Sequence, residues 1–243
     1  MAFIRVKDAV VEFPIYGGVR SIRKVIVRAA TGGLLKRDAS ERVVVRALDS
    51  VSFEFHEGDR VGLVGHNGSG KSTLLRLLAT IYEPTEGSVE INGRVSSMLN
   101  IYLGMNMDAT GFENIYMRGR VMGVPLRKMR LIIDDIAEFT GLGDYLNLPL
   151  RTYSSGMAMR LGFAVSTSIE ADIILMDEWL SVGDAEFSQR AKLRLDNVMS
   201  EARIIIVASH NQQLIESQCN KIIRLEHGKI IQFSQANAVG KFD

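Results

Sequence analysis

The chain has 243 residues, of which 47% are hydrophobic, and its formal net charge at pH 7 is +1. This length suits one large domain or two small ones, and the apolar fraction is sufficient for a full core. A net charge so close to zero creates no overall field toward nucleic acid, so we expect no nucleic-acid partner. The single cysteine, Cys219, excludes an internal disulfide.

The N-terminal stretch "MAFIRVKDAVVEF" alternates apolar and polar residues, which predicts a β-strand. It lacks the charged, apolar and small-residue regions of a signal peptide. No apolar run in the chain approaches the roughly 20 residues that span a bilayer. We therefore expect a chain that is soluble by itself, so that any passage through a membrane belongs to a partner.

A basic, amphipathic insertion follows this strand at residues 20–38. The segment from Ile15 to Arg37 contains six basic residues and no acid. On a helical wheel, four apolar and four basic residues occupy opposite faces: Ile22, Val25, Ile26 and Ala29 against Arg20, Arg23, Lys24 and Arg28. Such a helix can lie at a membrane surface or contact anionic groups, although a solvated surface helix is the simpler alternative.

Strand-like segments then alternate with helical ones. We predict strands in "VVVRALDSVSFEF", "RVGLVG", "DIILMD" and "RIIIVASH", a hairpin at the Asn-Gly of "GSVEINGRVSSML", and another at the His-Gly of "KIIRLEHGKIIQF". Helical periodicity marks "KSTLLRLLATIY", "GFENIYMRGRVMG", "LRKMRLIIDDIAEF", the run after Ser155, and "AEFSQRAKLRLDNVMSEA". The pattern predicts one α/β domain, with residues 1–98 and 171–243 as its core and about 100–170 as an inserted helical subdomain.

The stretch "GHNGSGKS" lies between a predicted strand and a predicted helix, and it matches the phosphate-loop pattern G-x-x-x-x-G-K-[ST]. Its glycines allow backbone N–H groups to surround phosphate oxygens at the positive end of the helix. We expect Lys71 to contact the β- and γ-phosphates and Ser72 to bind Mg²⁺. The candidate nucleotide contacts are Gly65, His66, Asn67, Gly68, Ser69, Gly70, Lys71, Ser72 and Thr73.

Two further strand ends carry polar residues that suit phosphate chemistry. The apolar strand "IILM" ends in Asp177 and Glu178, and "ASH" places His210 after another strand. Ligands of α/β sheets bind beyond the carboxyl ends of such strands. We expect Asp177 to hold Mg²⁺ through water, Glu178 to polarise the attacking water, and His210 to contact the γ-phosphate. A helix cap for the acids and a structural histidine are the alternatives.

The order of these motifs resembles the nucleotide-binding subunits of ABC transporters: the phosphate loop, "YSSGM", "DE", "VGD" and then His210. This resemblance implies a RecA-like α/β core, an antiparallel β subdomain and the inserted helical subdomain. It also implies ATP hydrolysis with Mg²⁺ in a head-to-tail homodimer. Ser154, Ser155 and Gly156 of one copy would contact ATP held by the other, and Asp184 would lie at the dimer seam.

Two motifs depart from the common family pattern. The stretch "YSSGM" replaces LSGGQ, retaining Ser154 and Gly156, which contact the γ-phosphate in the family. Asn100 stands where the family usually has a glutamine that touches Mg²⁺. The resemblance makes Asn100 a nucleotide and metal contact, although its side chain is one methylene shorter.

With these departures and the stretches "FPIYGG", "DEWLSVGDAEF" and "ATGFENI", the chain resembles the ATPases that export bacterial surface polysaccharides. O-antigen exporters are the most similar, with teichoic acid and capsule exporters as the alternative. The resemblance implies that Tyr16 stacks on adenine, unless it packs as a turn residue. It also implies two permease subunits, a lipid-linked polysaccharide as cargo, and a peripheral location on the cytoplasmic face of the inner membrane.

Three other function classes compete with a transport ATPase. A soluble ABC ATPase acting on ribosomes or DNA usually has two fused ATPase domains or a long coiled-coil insertion, and we find neither. A phosphate-loop GTPase needs the guanine-reading motif N-K-x-D, which is absent. A nucleotide sensor without catalysis is disfavoured because Lys71, Asp177, Glu178 and His210 are all present.

Overall fold

A computed structural model describes residues 1–15, 34–37, 43–99, 102–178 and 185–235. The chain divides into two compact units. The first contains residues 1–95, 172–179 and 203–243, and the second contains residues 96–171 and 180–202. The second unit therefore includes residues 180–202 in addition to the stretch of about 100–170 that the sequence assigns to the helical subdomain.

The described elements follow one another as strands and helices of 3 to 17 residues. In chain order they are β1 (Phe3–Pro14), β2 (Leu34–Arg37), β3 (Val43–His56), β4 (Arg60–Val64), α1 (Lys71–Leu78), β5 (Glu86–Asn92), β6 (Val95–Ser97), α2 (Gly111–Val121), α3 (Leu126–Thr140), α4 (Ser155–Thr167), β7 (Ile173–Asp177), α5 (Ala185–Glu201), β8 (Ile204–Ala208), α6 (Gln212–Gln218), β9 (Lys221–Glu226) and β10 (Lys229–Gln235). Short 3-10 helices span Gly143–Asn147 and Leu150–Thr152.

The first sheet has four strands in the order β2-β3-β1-β5, and each neighbouring pair is antiparallel. Alternate residues of β1 and β3 point into the core, where Ile4, Val6 and Phe55 are buried. This sheet is the predicted antiparallel β subdomain. Strand β2 falls within the predicted insertion of residues 20–38, so that the stretch at 34–37 is a strand. The proposed helical faces, at residues 20–29, lie outside the described residues.

The second sheet has six strands in the order β10-β9-β4-β8-β7-β6. Strand β4 pairs in parallel with β8 and β9, and β7 pairs in parallel with β8. All five residues of β8 are buried, as are the first four of β7. Parallel strands covered on both faces have this continuous apolar composition. Their carboxyl ends meet at one edge, where the phosphate loop also begins.

The hairpin predicted at Asn92-Gly93 is wrong, because β5 belongs to the first sheet and β6 to the second. Gly93 has φ 128°, and Arg94 N–H donates to the Asp172 carboxylate at 2.8 Å. The Arg94 carbonyl in turn accepts from Ile173 N–H at 3.0 Å. These contacts direct the chain to the beginning of β7 instead of back along β5. The hairpin predicted at His227-Gly228 is confirmed, since β9 and β10 pair as antiparallel neighbours.

The second unit has a core of its own. Twelve buried residues form it, from the helices α2, α3 and α4 and the turns between them: Ile115, Val124, Met129, Ile136, Leu142, Leu146, Leu150, Ala158, Leu161, Ala164, Val165 and Ile169. The predicted helices at these positions are confirmed. Among the described residues, none of the helices combines the length and the apolar composition that a membrane crossing requires.

Candidate functional site

The phosphate loop connects the end of β4 to the first turn of α1. Gly65, Gly68 and Gly70 have φ values of 150°, 79° and 112°, a region that other residues rarely adopt. A Cβ at Gly70 would lie 2.9 Å from the Ala47 carbonyl oxygen, so the backbone there leaves no room for a side chain. The loop therefore needs glycine at these positions to turn its N–H groups inward.

Lys71 is held against this loop. Its Nζ donates to the Gly65 carbonyl at 2.7 Å and to the His66 carbonyl at 3.1 Å. Burial lowers the pKa of the Lys71 ammonium, and the charges of Asp177 and Glu178 oppose that shift. The side chain is 7% exposed, so the charge is directed along the loop rather than into bulk solvent. A phosphate oxygen could replace the carbonyls as the acceptor.

Ser72 and Asp177 form the next part of the site. Ser72, in the first turn of α1, donates its hydroxyl to Asp177 Oδ2 at 2.6 Å. Asp177 is the last residue of β7, directly beyond the buried strand. A hydroxyl and a carboxylate offer the hard oxygen ligands that Mg²⁺ prefers. The pair fits a metal held beside the phosphate loop.

Glu178 and His210 follow the ends of β7 and β8. Glu178 has φ 66°, and its N–H donates to the Ala208 carbonyl at 2.7 Å. This left-handed conformation costs about 1–3 kcal/mol for a residue other than glycine. Its carboxylate lies 3.5 Å from His210 Nε2, and both side chains are more than half exposed. An accessible carboxylate beside an imidazole can accept a proton from water.

The "YSSGM" stretch forms the beginning of α4 in the second unit. Ser154 caps the helix, and its Oγ accepts a hydrogen bond from Met157 N–H at 3.2 Å. Tyr153 donates its hydroxyl to the Tyr145 carbonyl at 2.7 Å. Ser154 and Ser155 are exposed, and a Cβ at Gly156 would meet only Ser154 Oγ, at 3.9 Å. The helix N-terminus is therefore open, which suits an anion.

The structure brings Lys71, Ser72, Asp177, Glu178 and His210 to one edge of the second sheet, as the sequence predicts. The remaining loop candidates lie beside them, while Ser154, Ser155 and Gly156 lie in the second unit. The predicted contacts Tyr16, Asn100 and Asp184 lie outside the described residues. The nucleotide and metal roles of all these residues stay predictions.

One residue of the site is not apparent from the sequence. Gly228, in the turn between β9 and β10, donates its N–H to the Ser69 carbonyl at 2.9 Å and supports the phosphate loop. Its own carbonyl accepts from Asp49 N–H at 2.9 Å. The His-Gly pair indicates a turn, but no spacing connects it to a loop more than 150 residues earlier.

This geometry is that of an α/β protein with a glycine-rich phosphate loop at the carboxyl edge of its parallel strands. Residues 48–181 match the model of the ABC transporter family. The chain belongs to the ABC transporter family, and it is an ATP-binding member of it with ATPase activity. The family and the fold predicted from the sequence are confirmed.

Three relatives span most of the chain. The O-antigen export system ATP-binding protein RfbE of Yersinia enterocolitica is 44% identical over 94% of this chain and 96% of its own length. RfbB of Myxococcus xanthus, with the same description, is 36% identical over 98% of this chain. The teichoic acids export ATP-binding protein TagH of Listeria innocua is 38% identical over 81%. The chain spans only 55% and 59% of the lengths of these last two relatives.

Solved structures share the fold. A dimeric ATP-binding cassette in a post-hydrolysis state with ADP and Pi matches 97% of this chain and all of its own, with a TM-score of 0.69 and 17% identity. The ATP-binding subunit of an ABC transporter matches 96% of this chain and 90% of its own, with a TM-score of 0.69 and 19% identity. The RecA-like core with its antiparallel and helical parts is therefore the cassette architecture.

Proposed function

We propose that this chain is the ATP-hydrolysing subunit of an exporter of lipid-linked O-antigen or a similar surface polysaccharide. One observation carries the substrate class: 44% identity over 94% of this chain and 96% of an O-antigen export relative. The conjunction of Ser72, Asp177, Glu178 and His210 at one sheet edge supports hydrolysis at this site. Teichoic acid or capsule export is the alternative.

The phosphate loop holds the β- and γ-phosphates through its N–H groups and Lys71. Ser72 and Asp177 hold Mg²⁺, with Asn100 as a further contact. When bound, the metal neutralises the developing charge on the phosphate oxygens. Tyr16 stacks on the adenine. The 2.6 Å contact between Ser72 Oγ and Asp177 Oδ2 supports the assignment of these two residues to Mg²⁺, because the two oxygens lie next to each other.

Glu178 and His210 act on the water. Glu178 accepts a proton as the water oxygen forms a bond to the γ-phosphorus and the bond to the β,γ-bridging oxygen breaks. His210 orients the water and the γ-phosphate by hydrogen bonding. The 3.5 Å separation of the carboxylate and the imidazole supports a shared task for the two side chains.

The ATP site is completed by a second copy of the chain. Ser154, Ser155 and Gly156 of the partner copy contact the γ-phosphate, and Asp184 lies at the seam. The helix N-terminus at Ser154 supports this role: Ser154 Oγ accepts from Met157 N–H, and a Cβ at Gly156 would meet only that oxygen, at 3.9 Å, so the first turn is accessible to an anion. ATP binding closes the homodimer and hydrolysis opens it.

Closure and opening drive two copies of an integral membrane permease, which carries the lipid-linked polysaccharide. The chain is held on the cytoplasmic face of the inner membrane through that permease. The basic insertion at residues 20–38 lies near the cytoplasmic entrance of the lipid-linked cargo.

The test is surface polysaccharide in cells that contain the native permease and either the wild-type chain or Glu178→Gln. We expect export with the wild type and a loss of about 100-fold or more in both ATP hydrolysis and export for the variant, because the general base is lost. Glu83→Gln, which removes an exposed carboxylate beyond the C-terminal end of α1, the end opposite the phosphate loop, is the matched control and retains both activities.

Immunoblotting of extracted O-antigen, and of teichoic acid and capsule, identifies the polymer exported. Retained hydrolysis in the Glu178→Gln variant would remove Glu178 from the mechanism. Normal hydrolysis in the wild type without transfer of any surface polysaccharide would contradict the exporter assignment but leave the ATPase intact.

A further inference from the structure

We propose that His66, Glu226 and His227 form a binding site for a divalent transition-metal ion such as Zn²⁺, beside the phosphate loop. Each residue offers one ligand atom, and these atoms all lie within 4.8 Å of one another. The two imidazole rings have centroids 5.2 Å apart, with 59° between their planes. His227 Nε2 lies 4.0 Å from Glu226 Oε1. Three ligands therefore converge on one point.

The contact between His66 Nδ1 and a main-chain carbonyl favours the tautomer that can bind a metal through Nε2. This Nδ1 lies 2.8 Å from the Asn67 carbonyl oxygen. A carbonyl can only accept, so this hydrogen bond places the proton on Nδ1 and leaves the lone pair on Nε2. Histidines that bind metals usually donate their second ring N–H to a carbonyl or carboxylate in this way. The contact orients His66 independently of the other two ligands.

The backbone fixes the positions of the other two ligands. Gly228 N–H donates to the Ser69 carbonyl at 2.9 Å, so the turn that carries His227 is bound directly to the phosphate loop that carries His66. His227 and Gly228 have φ values of 47° and 78°. A Cβ at Gly228 would lie 2.7 Å from the Ala47 carbonyl oxygen, which shows how closely the turn is packed. Preorganised ligands lose little entropy when a metal binds.

The ligand set selects the metal. Two imidazoles and one carboxylate are the ligands of several catalytic Zn²⁺ sites, where a water completes the tetrahedron. Mg²⁺ prefers oxygen ligands in an octahedron, so this cluster discriminates against it. The side chains of Glu226 and His227 are 50% and 55% exposed, which leaves access for the ion and its water. The site shares no ligand with the Ser72 and Asp177 pair.

A bound ion would crosslink the phosphate loop to the turn between β9 and β10. It joins His66, whose carbonyl accepts from Lys71, to a hairpin at the other end of the chain. Because the unfolded chain does not hold these ligands together, binding stabilises the folded form. This inference does not depend on the cargo or on the permease.

The test is a Zn²⁺ titration of the chelator-treated full chain in a large excess of Mg²⁺, which occupies oxygen-ligand sites. We expect one Zn²⁺ per chain by calorimetry, and a tetrahedral visible absorption spectrum when Co²⁺ replaces it. Saturating Zn²⁺ should raise the thermal midpoint by roughly 5–10 °C at 100 times its Kd.

His227→Asn and Glu226→Gln test the ligands. Asparagine tolerates the left-handed conformation at position 227, so the turn is retained. We expect each variant to lose at least about 100-fold in Zn²⁺ affinity, together with the thermal shift. His56→Asn is the matched control, because His56 is an exposed histidine whose Nε2 lies 3.4 Å from the Glu54 carboxylate; the variant binds Zn²⁺ like the wild type.

Unchanged affinity in both ligand variants, or an equal loss in the His56 variant, would overturn the proposal, since the metal would then bind elsewhere. An octahedral Co²⁺ spectrum in the wild type would also overturn it. Circular dichroism of each variant separates a lost ligand from a lost fold, and Glu226→Gln provides the result if His227→Asn does not fold.

Discussion

Lys71 is a buried cation whose two loop acceptors, the carbonyls of Gly65 and His66, carry only partial negative charge. Burial lowers its pKa, so the ammonium is stabilised less than it would be in water. A phosphate oxygen supplies a full charge at hydrogen-bonding distance, which makes the contact stronger. We therefore expect the affinity of the loop for a nucleotide to depend strongly on this one side chain.

We expect Lys71→Ala to weaken ATP binding by about 10- to 100-fold, as a lost charge-assisted hydrogen bond does. Isothermal titration with ATP measures the change. Arg76→Ala is the matched control, because Arg76 is an exposed cation on the same helix, α1, and its loss leaves the affinity unchanged. An equal loss in both variants would show that general charge, and not the loop contact, attracts the nucleotide.

Where a motif fixes the spacing, the sequence predicts which candidate site residues come together in the structure. Lys71 and Ser72 follow from the loop pattern, and Asp177 and His210 follow from strand ends that meet at one sheet edge. It does not predict the left-handed backbone at Glu178, because φ 66° there depends on the hydrogen bond to Ala208 in another strand. Gly228 and the His227 cluster are missed for the same reason: their contacts join distant parts of the chain.

At the scale of elements, Asn114 fastens the beginning of α2 to the loop before it. It is fully buried, and its amide NH₂ group lies 2.9–3.0 Å from three carbonyl oxygens, those of Asn106, Ala109 and Thr110, so its two N–H groups are shared among three acceptors. Its Oδ1 accepts from Asn106 N–H at 2.7 Å. Both polar atoms of this amide are therefore hydrogen-bonded to main-chain groups of residues 106–110.

We expect Asn114→Asp to destabilise the second unit by about 3 kcal/mol or more, because a buried carboxylate would face three carbonyl oxygens. The thermal midpoint should fall by roughly 6–12 °C. Asn106→Asp is the matched control: Asn106 is exposed, and its Oδ1 accepts from Asp108 N–H, which a carboxylate also does. Equal midpoints for the two variants would contradict the role of Asn114.

Helices and strands are predicted correctly where the apolar pattern extends over many residues. The prediction fails where contacts between distant parts of the chain determine which sheet a strand joins. Helix α3 has a clear apolar stripe, α4 is buried over most of its length, and the predicted positions of α2, α3 and α4 are confirmed. The Asn-Gly pair at Asn92 predicts a hairpin, but contacts with Asp172 direct β6 into the other sheet. The sequence does not predict the short helix α6, seven residues in length, because two turns carry little periodicity.

At the scale of the whole molecule, Cys219 reports on folding of the first unit. It is 4% exposed, and burial raises the pKa of its thiol to about 12. Only the thiolate reacts, so the folded chain should be inert toward thiol reagents at neutral pH. A cysteine that is unique in the chain makes this measurement clean.

We expect the rate of labelling of Cys219 to rise at least about 100-fold when the chain unfolds in denaturant, and to fall when ATP stabilises the fold. Absorbance of a released thiol-reagent chromophore measures the rate. The control is Leu193→Cys with Cys219→Ala, which places a thiol at a position that is 61% exposed. Fast labelling of native Cys219, matching that control, would contradict its burial.

The proposed dimer divides each ATP site between two chains. Two chains that carry different inactivating substitutions can therefore form one intact site together. Ser154→Arg fills the open helix N-terminus at α4, and Lys71→Ala weakens the loop; each variant alone should be inactive. In a mixed dimer, the loop of the Ser154 variant meets the intact "YSSGM" of the Lys71 variant. Random pairing then gives roughly a quarter of the wild-type number of sites.

Phosphate release from the equimolar mixture measures the recovery, and Ser200→Arg, at an exposed position, is the control with full activity. A mixture as inactive as its components would contradict a shared site, because Ser154 would then serve the ATP bound by its own chain.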